Sequence, residues 1–155
     1  MLMQSYDSLS TFPDVKSCLS DVGKAPNVTA YVFSNGTYDM VSSSIRNSPE
    51  LMPYTSVFKE IVVVEEVRRF KPDPAVYQYL CKKAGKEGRE EDVWLVSGNP
   101  FDVVGARAMG WKAVWVDRAG NGWIDSCVEG ETGRPSVIVR SLKDVLTAVS
   151  EHRGT

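Results

Sequence analysis

Hydrophobic positions along this chain follow two alternating rhythms. Five short runs are almost wholly apolar and rich in β-branched residues: Val28–Phe33, Ile61–Val64, Val93–Val96, Ala113–Val116 and Val137–Val139. Continuous apolar character, rather than strict alternation, is what strands covered on both faces require. Between these runs the spacing changes to three and four. Val15, Cys18, Leu19 and Val22 mark a helix over Asp14–Val22 that stops at Gly23. Further helices are expected at Tyr38–Arg46, Asp73–Ala84, Phe101–Met109 and Leu142–Val149. Asp73-Pro74 is a strong helix start, with a side chain able to cap and a proline suited to the first turn, and Gly85 is a natural stop. Strands alternating with helices predict an α/β fold, a three-layer, Rossmann-like arrangement around a parallel sheet.

Composition narrows the function classes. A length of 155 residues points to one domain with a sizeable core, and 43% hydrophobic against 25% charged residues is ordinary globular composition. The net charge of −2 gives no attraction to nucleic acid or an anionic membrane, and the densest charged run, Glu65–Arg69, mixes signs. Cys18, Cys81 and Cys127 are odd in number and widely spaced, which fits a reducing, cytoplasmic setting and neither a disulfide framework nor a zinc site. No apolar run approaches the roughly 18 residues that span a bilayer, and the N-terminus lacks the basic and apolar regions of a signal peptide. His152 is the single histidine and lies in a charged tail, so Ser-His-Asp and Cys-His mechanisms are excluded.

In open parallel sheets, ligands bind beyond the carboxyl ends of the strands. Ser34 with Asn35, and Ser97 with Asn99, stand just past two such ends, and Lys71 lies several residues beyond a third. All are expected to line one pocket together with Asp102. Each also has a plainer reading. Ser34-Asn35-Gly36 offers a hydroxyl, an amide and a loose turn whose N–H groups can meet an anion, yet Asn-Gly is a turn signal by itself. Lys71 on a proline-stiffened base can neutralise a carboxylate, or can be a surface lysine before a capped helix. Asp102 and Asn99 can serve chemistry at a helix start, or simply cap that helix.

Taken in order, Val32-Phe33-Ser34-Asn35-Gly36-Thr37, Phe70-Lys71-Pro72-Asp73-Pro74 and Val96-Ser97-Gly98-Asn99-Pro100-Phe101-Asp102 resemble motifs two, three and four of the haloacid dehalogenase superfamily, nearest its 2-haloacid (type II) branch. Tyr77, Gly105-Ala106, Trp115-Val116-Asp117-Arg118 and Val139–Leu146 extend the likeness, which runs from about Leu9 to Val149. The resemblance implies a haloacid dehalogenase core in which Lys71, Asp102, Ser97 and Asn99 are catalytic. Ser34, Asn35 and Phe101 would bind a small carboxylate substrate, a 2-haloacid or a relative of one. The family reaction displaces halide from C2 by an Asp carboxylate, and water then cleaves the resulting ester. Phosphohydrolases of the superfamily typically carry an extra acid four positions before the motif's final Asp. Here that position is Gly98. With too few oxygen ligands for Mg²⁺, the expectation is no metal and no cofactor.

The family's first motif, an apolar strand running into a loop whose Asp is the nucleophile, is not matched upstream of Ser34, and no residue matches the arginine that the family's cap offers the halide. The core is therefore expected to be incomplete at its N-terminus: residues 1–12 a cap or linker remnant, 13–150 the core domain, 151–155 a frayed tail. In the resembling fold the missing strand is central. Strands lie about 4.8 Å apart, so its slot would part Val28–Phe33 from Val93–Val96 by nearly 10 Å. A homodimer that covers these edges is expected, the competing outcome being direct pairing of the two strands. Complete turnover by this chain alone is not expected. The alternatives are a small-molecule-binding or regulatory protein without catalysis, an enzyme in which Asp102 and Lys71 do acid–base work, and, disfavoured by Gly98, a Mg²⁺ phosphohydrolase.

Overall fold

The structure is a computed structural model that describes residues 10–125 and 128–153. Cys127 and residues 1–9 of the expected cap remnant lie outside the described residues. The chain divides into two compact units, Met1–Glu66 and Val67–Thr155. The physical basis is strand pairing: each unit has its own sheet.

The first unit contains α1 (Val15–Lys24), β1 (Ala30–Ser34), α2 (Tyr38–Asn47) and β2 (Phe58–Val63). β1 and β2 run parallel, with Ser34 opposite Val63. α2 packs on β2, and Ile45, Val62 and Val63 are buried there. α1 does not stop at Gly23 as the sequence suggested. It continues to Lys24, and a Cβ on Gly23 would stand 3.2 Å from Val57 Cγ2, so the bare Cα admits a close neighbour rather than ending the helix. Ahead of α1, the Thr11 backbone N–H and hydroxyl both donate to Glu50 Oε2 at 2.6 Å.

The second unit contains α3 (Pro74–Ala84), β3 (Trp94–Ser97), α4 (Pro100–Ala108), β4 (Lys112–Val116), β5 (Val137–Val139) and α5 (Val145–Arg153). Its sheet is parallel in the order β3-β4-β5. One face of β4 and β5 (Val114, Val116, Val139) packs with Val145 of α5. α4 covers β3 and β4, with Val103 and Ala106 fully buried. Helix, sheet and helix make three layers, which explains the continuous apolar runs of the strands. α3 starts and stops as its residues predict: Asp73 accepts from Ala75 N–H at 2.9 Å, and Gly85 takes the left-handed conformation at φ 65°.

One expectation needs correction here. The tail expected to fray from residue 151 is helical to Arg153, because the His152 ring meets the Trp94 ring edge-on at 5.2 Å and anchors the last turn. Among the described residues the strand pairings are β1 with β2 and, in the other sheet, β3 with β4 and β4 with β5. No described helix is long and apolar enough to cross a membrane.

Candidate active site

The second unit builds a network where β3 ends and α4 begins. Ser97 is the last residue of β3, and its Oγ accepts from Asn99 N–H at 3.0 Å while its hydroxyl donates to Asp102 Oδ2 at 2.9 Å. Asp102 lies in the first turn of α4, where the helix dipole favours a carboxylate. Its other oxygen, Oδ1, stands 3.0 Å from Lys71 Nζ, and the two side chains are only 8% and 7% exposed. At this distance opposite charge holds the pair together. Lys71 is therefore not a surface lysine, and Asp102 is not spent on capping. Asn99 occupies the N-cap position of α4 without a side-chain cap bond, and Phe101 is 47% exposed beside Asp102.

Sequence reasoning noted Tyr77 without giving it a role. It sits on α3, fully buried, with its ring edge-on to Trp111 at 5.2 Å. Trp111 is held in turn by its Nε1–H on Cys81 Sγ at 3.1 Å. Burial, and then the charge of Asp102, push the Tyr77 hydroxyl well above its usual range. The phenol therefore stays a neutral donor near Asp102 throughout the working pH range. A signal existed in the sequence: Tyr77 shares the buried stripe of α3 with Val76, Leu80 and Cys81, and a polar tip on such a stripe asks for a polar neighbour.

The first unit places Ser34 at the carboxyl end of β1, followed by Asn35 in the turn. Here the plainer reading has local support. Ser34 Oγ accepts from Gly36 N–H at 3.0 Å, and Thr37 caps α2 by accepting from Met40 N–H at 3.2 Å. Glu65 Oε2 accepts from Tyr38 N–H at 2.6 Å. Three backbone donors that could have met an external anion are thus engaged within the chain, one of them by a carboxylate. Glu65 was read from sequence only as part of a solvated charge run.

Among the described residues no group of His, Cys, Asp and Glu could hold a metal ion. At Gly98 a Cβ would meet only Val116 O, at 3.8 Å, so the missing acid reflects residue choice and not lack of room.

The model of the haloacid dehalogenase-like hydrolases matches residues 2–116. The chain belongs to this family. Among its relatives, (S)-2-haloacid dehalogenase 1 of Pseudomonas sp. (strain CBS-3) is 32% identical over 117 residues, 76% of this chain and 48% of the relative. The (S)-2-haloacid dehalogenase of Xanthobacter autotrophicus is 33% identical over 117 residues, 76% of this chain and 43% of the relative. A solved structure of L-2-haloacid dehalogenase from Xanthobacter autotrophicus with chloropropionic acid covalently bound aligns at a TM-score of 0.77 and 27% identity, covering 95% of this chain and 64% of that one. This haloacid dehalogenase-like chain spans about half the length of the curated relatives it matches. Its fold is the α/β, Rossmann-like core of these dehalogenases.

Proposed function

We propose that this chain is the hydrolase core of a metal-independent enzyme for a small 2-haloacid or a related carboxylate. The observation that carries the reading is the buried Lys71–Asp102 pair bridged to Ser97 at a strand end. In this reading the Lys71 ammonium offsets the negative charge of a carboxylate nucleophile and of its attack on C2. Ser97, Asn99 and Asp102 orient the ester intermediate and the water that cleaves it, and Tyr77 supplies a permanently protonated donor beside Asp102. Ser34 and Asn35 are assigned the substrate carboxylate, and Phe101 the apolar part of the substrate. Acid–base work by Asp102 and Lys71 is the weaker alternative, since each is already committed to the other inside the protein. A binding protein without catalysis is the second reading, and what favours it is that Ser97 and Lys71 are both engaged with Asp102 inside the protein.

Binding separates these readings from a phosphohydrolase. Saturation-transfer NMR with millimolar 2-chloropropionate is expected to show contact that Ser34→Ala weakens. p-Nitrophenyl phosphate with Mg²⁺ is expected to give no turnover. Absence of any haloacid contact, or Mg²⁺-dependent phosphate release that Asp102→Asn abolishes, overturns the proposal.

A homodimer belongs to the same reading. β3 (Trp94–Ser97) carries no charge or proline to guard its edge, and Val96 is 41% exposed. A second copy related by a two-fold axis is the commonest way to cover such an edge. Sedimentation equilibrium at micromolar concentration is expected to give twice the 17.1 kDa chain mass. A clean monomer rules the dimer out.

A further inference from the structure

Glycine is a poor residue for a helix interior, because it loses more chain freedom than alanine and packs nothing. Gly105 nevertheless sits in the middle of α4. A Cβ there would fall into the Tyr77 hydroxyl, 2.7 Å from Tyr77 Cζ and 3.0 Å from Pro72 Cβ. Those neighbours are not arbitrary. Pro72 follows Lys71 directly. Gly105 lies three residues after Asp102, on the same face of α4. One bare Cα therefore touches both Pro72, next to Lys71, and the phenol on α3, about one helical turn from Asp102.

We propose that Gly105 is a positioning residue of the Lys71–Asp102 site: its missing side chain lets α4 approach the Tyr77 hydroxyl and Pro72 closely enough to form the site. Tyr77 cannot give way. Its ring is fully buried and braced edge-on by Trp111. Interiors are close-packed, so a methyl group inserted here pushes α4 away from α3 and the Lys71 segment. The 3.0 Å separation of Lys71 Nζ and Asp102 Oδ1 then opens. The inference rests on reading that pair as the centre of the active site, but its test requires no catalysis.

The test combines a double-mutant cycle with NMR. Gly105→Ala is expected to lower the urea midpoint. In full-length protein labelled with 3-fluorotyrosine, it should displace the Tyr77 signal, assigned through Tyr77→Leu. The side-chain ammonium signal of Lys71, assigned through Lys71→Met, should move or broaden as well. Val104→Ala, on another face of the same helix, should leave both signals in place, which separates positioning from general weakening of α4. Tyr77→Leu removes the atoms the new methyl would strike, so the double variant should be less destabilised than the sum of the single variants. Should Gly105→Ala alone fail to fold, the double variant is still expected to fold. Additive effects, an unmoved Lys71 ammonium, or failure of both variants to fold overturns the proposal. If haloacid binding fails while the cycle behaves as stated, the functional reading falls and the structural role of Gly105 stands.

Discussion

Purified and given 2-chloropropionate, these 155 residues are expected to release chloride on the order of a million-fold more slowly than a relative carrying the attacking aspartate. The reaction has two separable steps, attack on C2 to expel halide and hydrolysis of the ester. In the proposed reading Lys71 serves the environment of the first step, and Ser97, Asn99 and Asp102 the course of the second. Within the chain these groups are engaged with one another: Lys71 stands against Asp102, and the Ser97 hydroxyl donates a hydrogen bond to Asp102. Removing one member of a catalytic unit costs nearly as much as removing all of it. Free chloride measured over time decides the matter. Release at the rate of a complete dehalogenase would mean that another group attacks. An in-frame Asp-x-x-x-Thr strand in the DNA upstream of Met1, expressed together with this chain, is expected to restore release.

Lys71→Met or Asp102→Ala is expected to lower the stability of the fold by about 3–5 kcal/mol, since each leaves an uncompensated buried charge. Against a typical total of about 5–15 kcal/mol, that loss brings the protein close to unfolding at ambient temperature. Joint replacement, Lys71→Met with Asp102→Leu, should cost much less. The desolvation of two charges roughly cancels their attraction, and apolar side chains of similar size can fill the space. Urea titrations of the single and double variants at pH 7 test this directly. A loss below about 1 kcal/mol for Lys71→Met would be the behaviour of an exposed ion pair, and would contradict the burial seen here.

Much of the architecture is legible locally. The strand at Val137–Val139 has the bounds its apolar run predicts, and β2, β3 and β4 differ from their runs by a few residues at the ends. α3 is written in short-range chemistry, from the Asp73 cap through Pro74 to the left-handed Gly85, and needs no distant partner to be recognised. Gly23 shows the limit of that method. A glycine after an apolar stripe looks like a stop, but here it admits Val57, thirty-four positions away. Likewise the last turn of α5 persists because Trp94 lies against His152, a contact invisible to a reading that sees only a polar tail.

The sequence by itself determined the class of the fold, the order of strands and helices, and which residues stand at strand ends, because periodicity, capping and turn chemistry act within a few residues. It also carried the family likeness that the comparisons establish. Only the tertiary structure decided which of two readings each polar residue takes. Lys71 and Asp102 are far apart in the chain, and their burial against each other converts a surface lysine and a helix cap into a charge pair. Glu65 reaches Tyr38 N–H, and Gly105 makes room for Tyr77, through packing that no local pattern encodes. The physical reason is the same in each case. Burial and charge pairing depend on which elements meet, and that is settled by the whole chain at once rather than by any stretch of it.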